Sequence, residues 1–196
     1  MSDQFDPLSD LFVAQFARPT DLGPINLRTL TPFQRALLVI DGTVTKFIEA
    51  YAMEPVEVVR LSQETRRLSG DEAWLEGDEG TPVIAREVLL QGKYNHAFYA
   101  YAMSIVVPER LPGEVRDRLD EVGEGLGQIL NQHEMETRRE VLWYGRQHIG
   151  DLPAAVRRRA DGDFFSRTYR IICNGLPVML IHEKFPSHAE GLPYHH

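Results

Sequence analysis

Two runs rich in Ile, Val and Leu, residues 165–173 and 177–185, flank Asn174-Gly175. A two-residue connection between strands needs positive φ at both positions, and Asn-Gly meets that need best. The pattern predicts an antiparallel hairpin. Residues 81–92 form another strand-like run, punctuated by Pro82 and Gly92. Residues 96–107 follow after the short polar stretch 92–95, so these two runs also read as hairpin partners. Residues 56–65 have strand composition. Residues 136–145 suit helix or strand, and Val141, Trp143 and Tyr144 favour strand.

Helical signals precede and interrupt the strands. Thr31 is a candidate N-cap, Pro32 suits the first helical position, and Gln34 sits at the capping-box position. Asp41-Gly42 ends that helix over 31–40. Thr43 or Thr45 can cap the next, in which Val44, Phe47, Ile48 and Tyr51 recur at helical spacing. Residues 114–122 read as helix, with a short helical turn around 126–130. Near the N-terminus, Leu8, Leu11, Phe12 and Phe16 predict an amphipathic helix to about Arg18, before Pro19 and Gly23-Pro24 interrupt the chain. The acidic segment 69–80, with three glycines, reads as a flexible excursion or loop. Helices first, then hairpins with helical insertions, imply one α+β domain around an antiparallel sheet. The expected division is an N-terminal arm and linker at 1–26, the domain at 27–186 and a loose tail at 187–196, where His195-His196 is native or the edge of a tag.

Composition narrows the function classes. The chain has 196 residues, enough for one real core, and a formal net charge of -8. That charge argues against nucleic-acid binding, which depends on neutralising phosphates. A small anionic ligand needs only a local positive pocket. No apolar run is long enough to span a bilayer, and no basic leader opens the chain. One cysteine, Cys173, excludes an internal disulfide and a cysteine-based zinc cluster. A cytoplasmic setting is expected.

Strand alternation exposes two misplaced charges. Arg86 shares a face with Ile84, Val88 and Leu90. Glu183 shares one with Met179, Ile181 and Phe185. An inward charge needs a partner, because burial without one is costly. Either Arg86 and Glu183 form a buried ion pair, or both line a polar pocket, where a guanidinium grips a carboxylate in forked geometry. Other candidates are weaker. The seven histidines show no metal spacing. Residues 123–127 carry three glycines but follow a helix rather than a strand, which is the wrong context for a phosphate loop. No serine nucleophile elbow occurs. Residues 157–159 are a solvated arginine run. Tyr94, Phe98, Tyr99 and Tyr101 read as sheet-packing aromatics.

Five segments in order carry a resemblance. They are residues 37–45, 85–92, 107–112, 143–146 (Trp-Tyr-Gly-Arg) and 167–185. Together they resemble the chorismate pyruvate-lyase family, and in particular its branch in actinobacteria and cyanobacteria. The resemblance implies a six-stranded antiparallel sheet with helices covering it and an internal ligand cavity. It implies conversion of chorismate to 4-hydroxybenzoate and pyruvate, with no metal or organic cofactor. Carried over by position, Arg86 grips the ring carboxylate and Glu183 faces the ring hydroxyl. Thr43, Val44 and Leu111 complete the binding contacts, the last two through backbone groups. The expected partner is the small molecule alone, in a monomer or homodimer. Effector-binding domains of some bacterial transcription regulators resemble the same fold, so a non-enzymatic ligand-binding module is the rival. A related lyase releasing another aromatic acid is a third reading.

Overall fold

The computed structural model describes Leu8 and residues 10–119, 126–132, 135–148, 150, 152–159 and 162–187. The strands are β1 (Val56–Arg67), β2 (Pro82–Gly92), β3 (Phe98–Val106), β4 (Thr137–Gln147), β5 (Phe164–Cys173) and β6 (Leu176–Pro186). They form a six-stranded antiparallel sheet in the order β1-β2-β3-β6-β5-β4. The helices are α1 (Pro32–Val39), α2 (Val44–Ala52), α3 (Gly113–Arg118), α4 (Leu126–Gln132) and α5 (Ala154–Arg157). Each strand read from the sequence is present, including the ambiguous one that became β4. The glycine-rich stretch at 123–125 and the tail beyond 187 lie outside the described residues.

Local chemistry explains the elements. Thr31 Oγ1 accepts from Gln34 N at 3.2 Å, and Gln34 Oε1 accepts from Thr31 N at 2.9 Å. This reciprocal pair satisfies two N–H groups that an open helix end would leave bare. Gln34 also donates to Ser187 O at 2.8 Å, tying the end of the described chain to α1. Asn174 and Gly175 have φ of 50° and 79°, as a type I′ turn requires. The register then shifts between Ile171 and Ile172: Cys173 pairs with Leu176, but Arg167 pairs with Glu183.

One face of the sheet carries α1 to α4. At one end Leu37, Leu38, Val44 and Ile48 pack on Val58, Leu90, Ala100, Phe165 and Phe185. At the other, Val115, Leu119, Ile129 and Leu130 pack on Val106, Ile171, Met179 and Ile181. The opposite face is covered by α5 around Leu89, Tyr101 and Phe164, and by Ala14 and Leu22 against Leu142 and Trp143.

Two expectations change. The N-terminal segment is not an α-helix: among its described residues there are turns and a 3-10 helix, Gln15–Ala17. Its backbone runs along the β4 edge instead, with Val13 N donating to Val141 O at 3.0 Å and Ala14 N to Leu142 O at 2.9 Å. Those bonds cover an open strand edge, which outweighs a short helix in isolation. Gly145 permits the crossing, since a β-carbon there would lie 2.8 Å from Leu22 Cβ. The acidic loop before β2 is anchored rather than loose. Leu75 is buried with Leu68, Val83 and Val107, Trp74 stacks edgewise on Trp143, and Arg110 donates to Glu76 O at 2.7 Å.

His182 lies on the outer face, where its Nδ1 and Thr168 Oγ1 are 2.9 Å apart. Burial, aided by the charge of Lys184, pushes its pKa down to about 3. The unfolded chain therefore binds a proton at this residue well before the folded one does. Its share of stability is intact above about pH 6.5 and falls as pH drops towards 3, by up to about 1.4 kcal/mol per unit. His182→Asn is expected to flatten that part of the urea-unfolding stability profile between pH 6.5 and 4. Thr31→Ala is expected to cost about 1 kcal/mol in the same measurement at pH 7.

Candidate active site

Between the two clusters on the helix-covered face lies a small, partly enclosed cavity of about 70 Å³. Its wall is largely apolar, with Val58, Val88, Leu90, Ala102, Ile171 and Ile181. Arg86, Glu183, Arg139 and Tyr169 supply most of its polarity, and the 42–45 segment closes one side.

The alternation on β2 and β6 thus places Arg86 and Glu183 on one cavity, with 3% and 6% of their surfaces exposed. Val88 pairs with Ala102, which pairs with Glu183; Arg86 lies one same-face step along β2. From strand spacing and rise, their Cα atoms are roughly 12 Å apart on a flat sheet. That leaves room for a ring between the two side chains. Burial lowers the pKa of Arg86, and the nearby charge of Arg60 lowers it further. An anion beside the guanidinium would act in the opposite sense.

Glu183 finds its cation elsewhere. Arg167, 1% exposed, donates from Nε to Glu183 Oε2 at 2.8 Å. Tyr169 donates its hydroxyl to Glu183 Oε1 at 3.1 Å. Burial, then the Glu183 charge, raises the Tyr169 pKa, which keeps that hydroxyl protonated as a donor. Each carboxylate oxygen retains a further lone pair for a ligand hydroxyl. Arg167 also donates from Nη1 to Leu38 O at 3.3 Å and Ile40 O at 2.8 Å, and Arg139 donates to Asp41 O at 3.1 Å. Guanidiniums on these terminal carbonyls suit the negative end of α1 and fix the turn that follows it. That turn delivers Thr43 and Val44 to the cavity, with Thr43 at the N-cap of α2 but making no capping bond through its side chain.

Two expectations are corrected. The buried ion pair is Arg167–Glu183, not Arg86–Glu183, because Arg167 stands directly opposite Glu183 in the ladder. Leu111 is not part of the cavity wall. It is buried with Val106, Val115 and Leu119, and its N–H is taken by Pro108 O at 3.1 Å. Sequence reasoning missed Arg139, Arg167 and Tyr169 as site residues. The tryptophan-containing run 143–146 serves structure: Arg146 pairs with Asp163 outside the cavity.

With this geometry in place, comparison with known proteins is informative. The family model for Rv2949c-like chorismate pyruvate-lyases matches residues 38–192. The chain belongs to that family. Curated relatives agree. A chorismate pyruvate-lyase of Mycobacterium tuberculosis is 28% identical over 172 residues, covering 81% of this chain and 82% of that one. A putative lyase of Methanocaldococcus jannaschii is 27% identical over 161 residues, covering 78% and 77%. Among solved structures, PhnF from Mycobacterium smegmatis matches with a TM-score of 0.59 at 13% identity, over 76% of this chain and 65% of that one. The PhnF effector domain gives 0.58 at 12% identity, over 84% and 91%. At such identities the likeness concerns the fold alone. Among the described residues, no group of acidic, histidine and cysteine side chains is placed to hold a metal ion, and no helix is long and apolar enough to cross a membrane.

Arg167→Met removes the partner of a buried carboxylate and is expected to cost about 3–5 kcal/mol. Urea unfolding at pH 7 measures the loss.

Proposed function

We propose that the protein is a cofactor-independent chorismate pyruvate-lyase, releasing pyruvate from chorismate and leaving 4-hydroxybenzoate. The observation that carries this reading is a buried guanidinium and a buried carboxylate on one small, mostly apolar cavity, in a chain of the matching family. Arg86 binds and orients the ring carboxylate. Glu183, steadied by Arg167 and Tyr169, accepts a hydrogen bond from the ring hydroxyl.

The reaction balances without an oxidant. The C–O bond to the enolpyruvyl group breaks, and its electron pair leaves on the enolpyruvate oxygen. The neighbouring carbinol carbon loses its proton, and that C–H pair completes the aromatic ring. The proton ends on the enolpyruvate methylene, which makes pyruvate. Aromatisation drives the step, so the protein's work is to hold a reactive conformation and receive the developing charge. Glu183 beside the hydroxyl disfavours competing orientations and is positioned to assist the proton's departure.

A second reading has an observation in its favour, since the fold is that of the PhnF effector domain. One experiment separates the two. Purified protein is mixed with chorismate, pyruvate is followed, and the aromatic product is compared by chromatography with isomeric hydroxybenzoates. Pyruvate release above the spontaneous rate with 4-hydroxybenzoate as product is expected. Binding without turnover would favour the effector-domain reading, and a different isomer would revise the product. Arg86→Ala is expected to lower kcat/KM on the order of 100-fold, the weight of a charge-assisted fork. Glu183→Gln should lower kcat by about 100-fold.

A further inference from the structure

Arg139 is a second guanidinium on the cavity wall, and the elimination described above gives it no task. It stands on β4, whereas Arg86 stands on β2. In the order β2-β3-β6-β5-β4 they are four strand spacings apart, roughly 19 Å on a flat sheet. Two long side chains reaching inward from either side shorten that span. The ion pair of Arg167 offsets the charge of Glu183, so the cavity's polar ends are both cationic.

The corner around Arg139 is built. Nη1 is held by Asp41 O. Nε is buried and, among the described residues, has no hydrogen-bond partner, a costly state for a charged donor. Gly127 of α4 closes over it: a β-carbon there would sit 3.6 Å from Arg139 Nη2 and 3.3 Å from Thr43 Oγ1. The same corner therefore contains the N-terminus of α2, a helix of nine residues whose first-turn N–H groups carry the positive end of its dipole. A guanidinium and a helix N-terminus converging on one cavity wall favour an oxyanion between them.

We propose that Arg139 and the N-terminus of α2 bind a second carboxylate, so that the site takes a dicarboxylate gripped at both ends. Resting on the lyase reading, Arg86 takes the ring carboxylate and Arg139 takes the carboxylate of the departing enolpyruvyl group. Arg139 is then a specificity residue. It selects substrate over its monocarboxylate product and holds the leaving group while the ether bond breaks.

The test uses a matched pair of stable aromatic probes, 3-(carboxymethoxy)benzoate and 3-methoxybenzoate, which differ by one carboxylate and cannot eliminate pyruvate. Calorimetry on the full chain should show tighter binding of the dicarboxylate. Arg139→Gln should weaken the dicarboxylate on the order of 10- to 100-fold and leave the monocarboxylate unchanged, while Arg139→Lys retains part of the preference. Arg86→Gln should weaken both probes. The clamp is overturned if wild-type protein binds both probes equally, or if Arg139→Gln weakens both alike, as a purely structural role would. Dicarboxylate preference in a protein that releases no pyruvate from chorismate would sink the lyase reading and leave the clamp standing.

Discussion

The Arg167–Glu183 pair is the interaction on which the rest of the site depends. It joins β5 to β6 across one rung of the ladder. Through Nη1 it also fastens the end of α1 to the sheet. Desolvating two charges is expensive, and a hydrophobic pair of similar volume is often as stable. The pair therefore needs a reason beyond stability, and the cavity supplies one. Arg167 and Tyr169 orient the Glu183 carboxylate at an apolar wall without filling the cavity from within. Because Arg167 also holds the Leu38 and Ile40 carbonyls, one guanidinium joins the carboxylate to the end of α1 that leads into the turn carrying Thr43 and Val44.

Most of the fold was legible in the sequence for simple reasons. Pro32 with Thr31 and Gln34 declares α1, and Asn174-Gly175 declares the last hairpin. Period-two alternation placed Arg86 and Glu183 on the inward face, because neither β2 nor β6 changes parity between those residues and their apolar neighbours. What escaped was register. Extending the two-residue turn without interruption sets Arg167 opposite His182, on the outer face. At the irregularity between Ile171 and Ile172, β6 carries an extra residue, Val178, which shifts the ladder by one and sets Arg167 opposite Glu183. Alternation along β5 already puts Arg167 on one face with Phe165, Tyr169 and Ile171, but its pairing with Glu183 depends on that bulge. Arg139 was lost among the charges of β4, and Leu111 was misplaced because its backbone is consumed by the turn after β3.

The fold does not choose between an enzyme and a regulator's effector domain, since both can place a ligand under helices on an antiparallel sheet. The distinction lies in the wall. A binding module needs enough contacts to discriminate ligands. A lyase that aromatises its substrate needs few, provided they are aimed at the groups whose charge changes. The cavity here is of the sparse kind: apolar residues shape most of it, and its charged side chains are few, Arg86, Arg139 and Glu183. The anchored loop before β2 keeps to the far side of the sheet, whereas the N-terminal segment sends Leu8 and Phe12 into the cluster on the cavity's face and Ala14 and Leu22 to the opposite one.

The proposed clamp, with a cation at each end of the cavity, has a consequence for turnover. A dianion bound at both ends is held as a chelate: once one carboxylate is seated, the other is presented at high effective concentration. Cleavage of the ether bond severs the link. Each product then carries one carboxylate and keeps one grip, so the affinity that came from linkage disappears with the bond. The chain's net charge of -8 adds a weak, salt-screened push on any anion that reaches the mouth. On that proposal, binding strength is concentrated on the intact substrate, and neither fragment is held by both arginines.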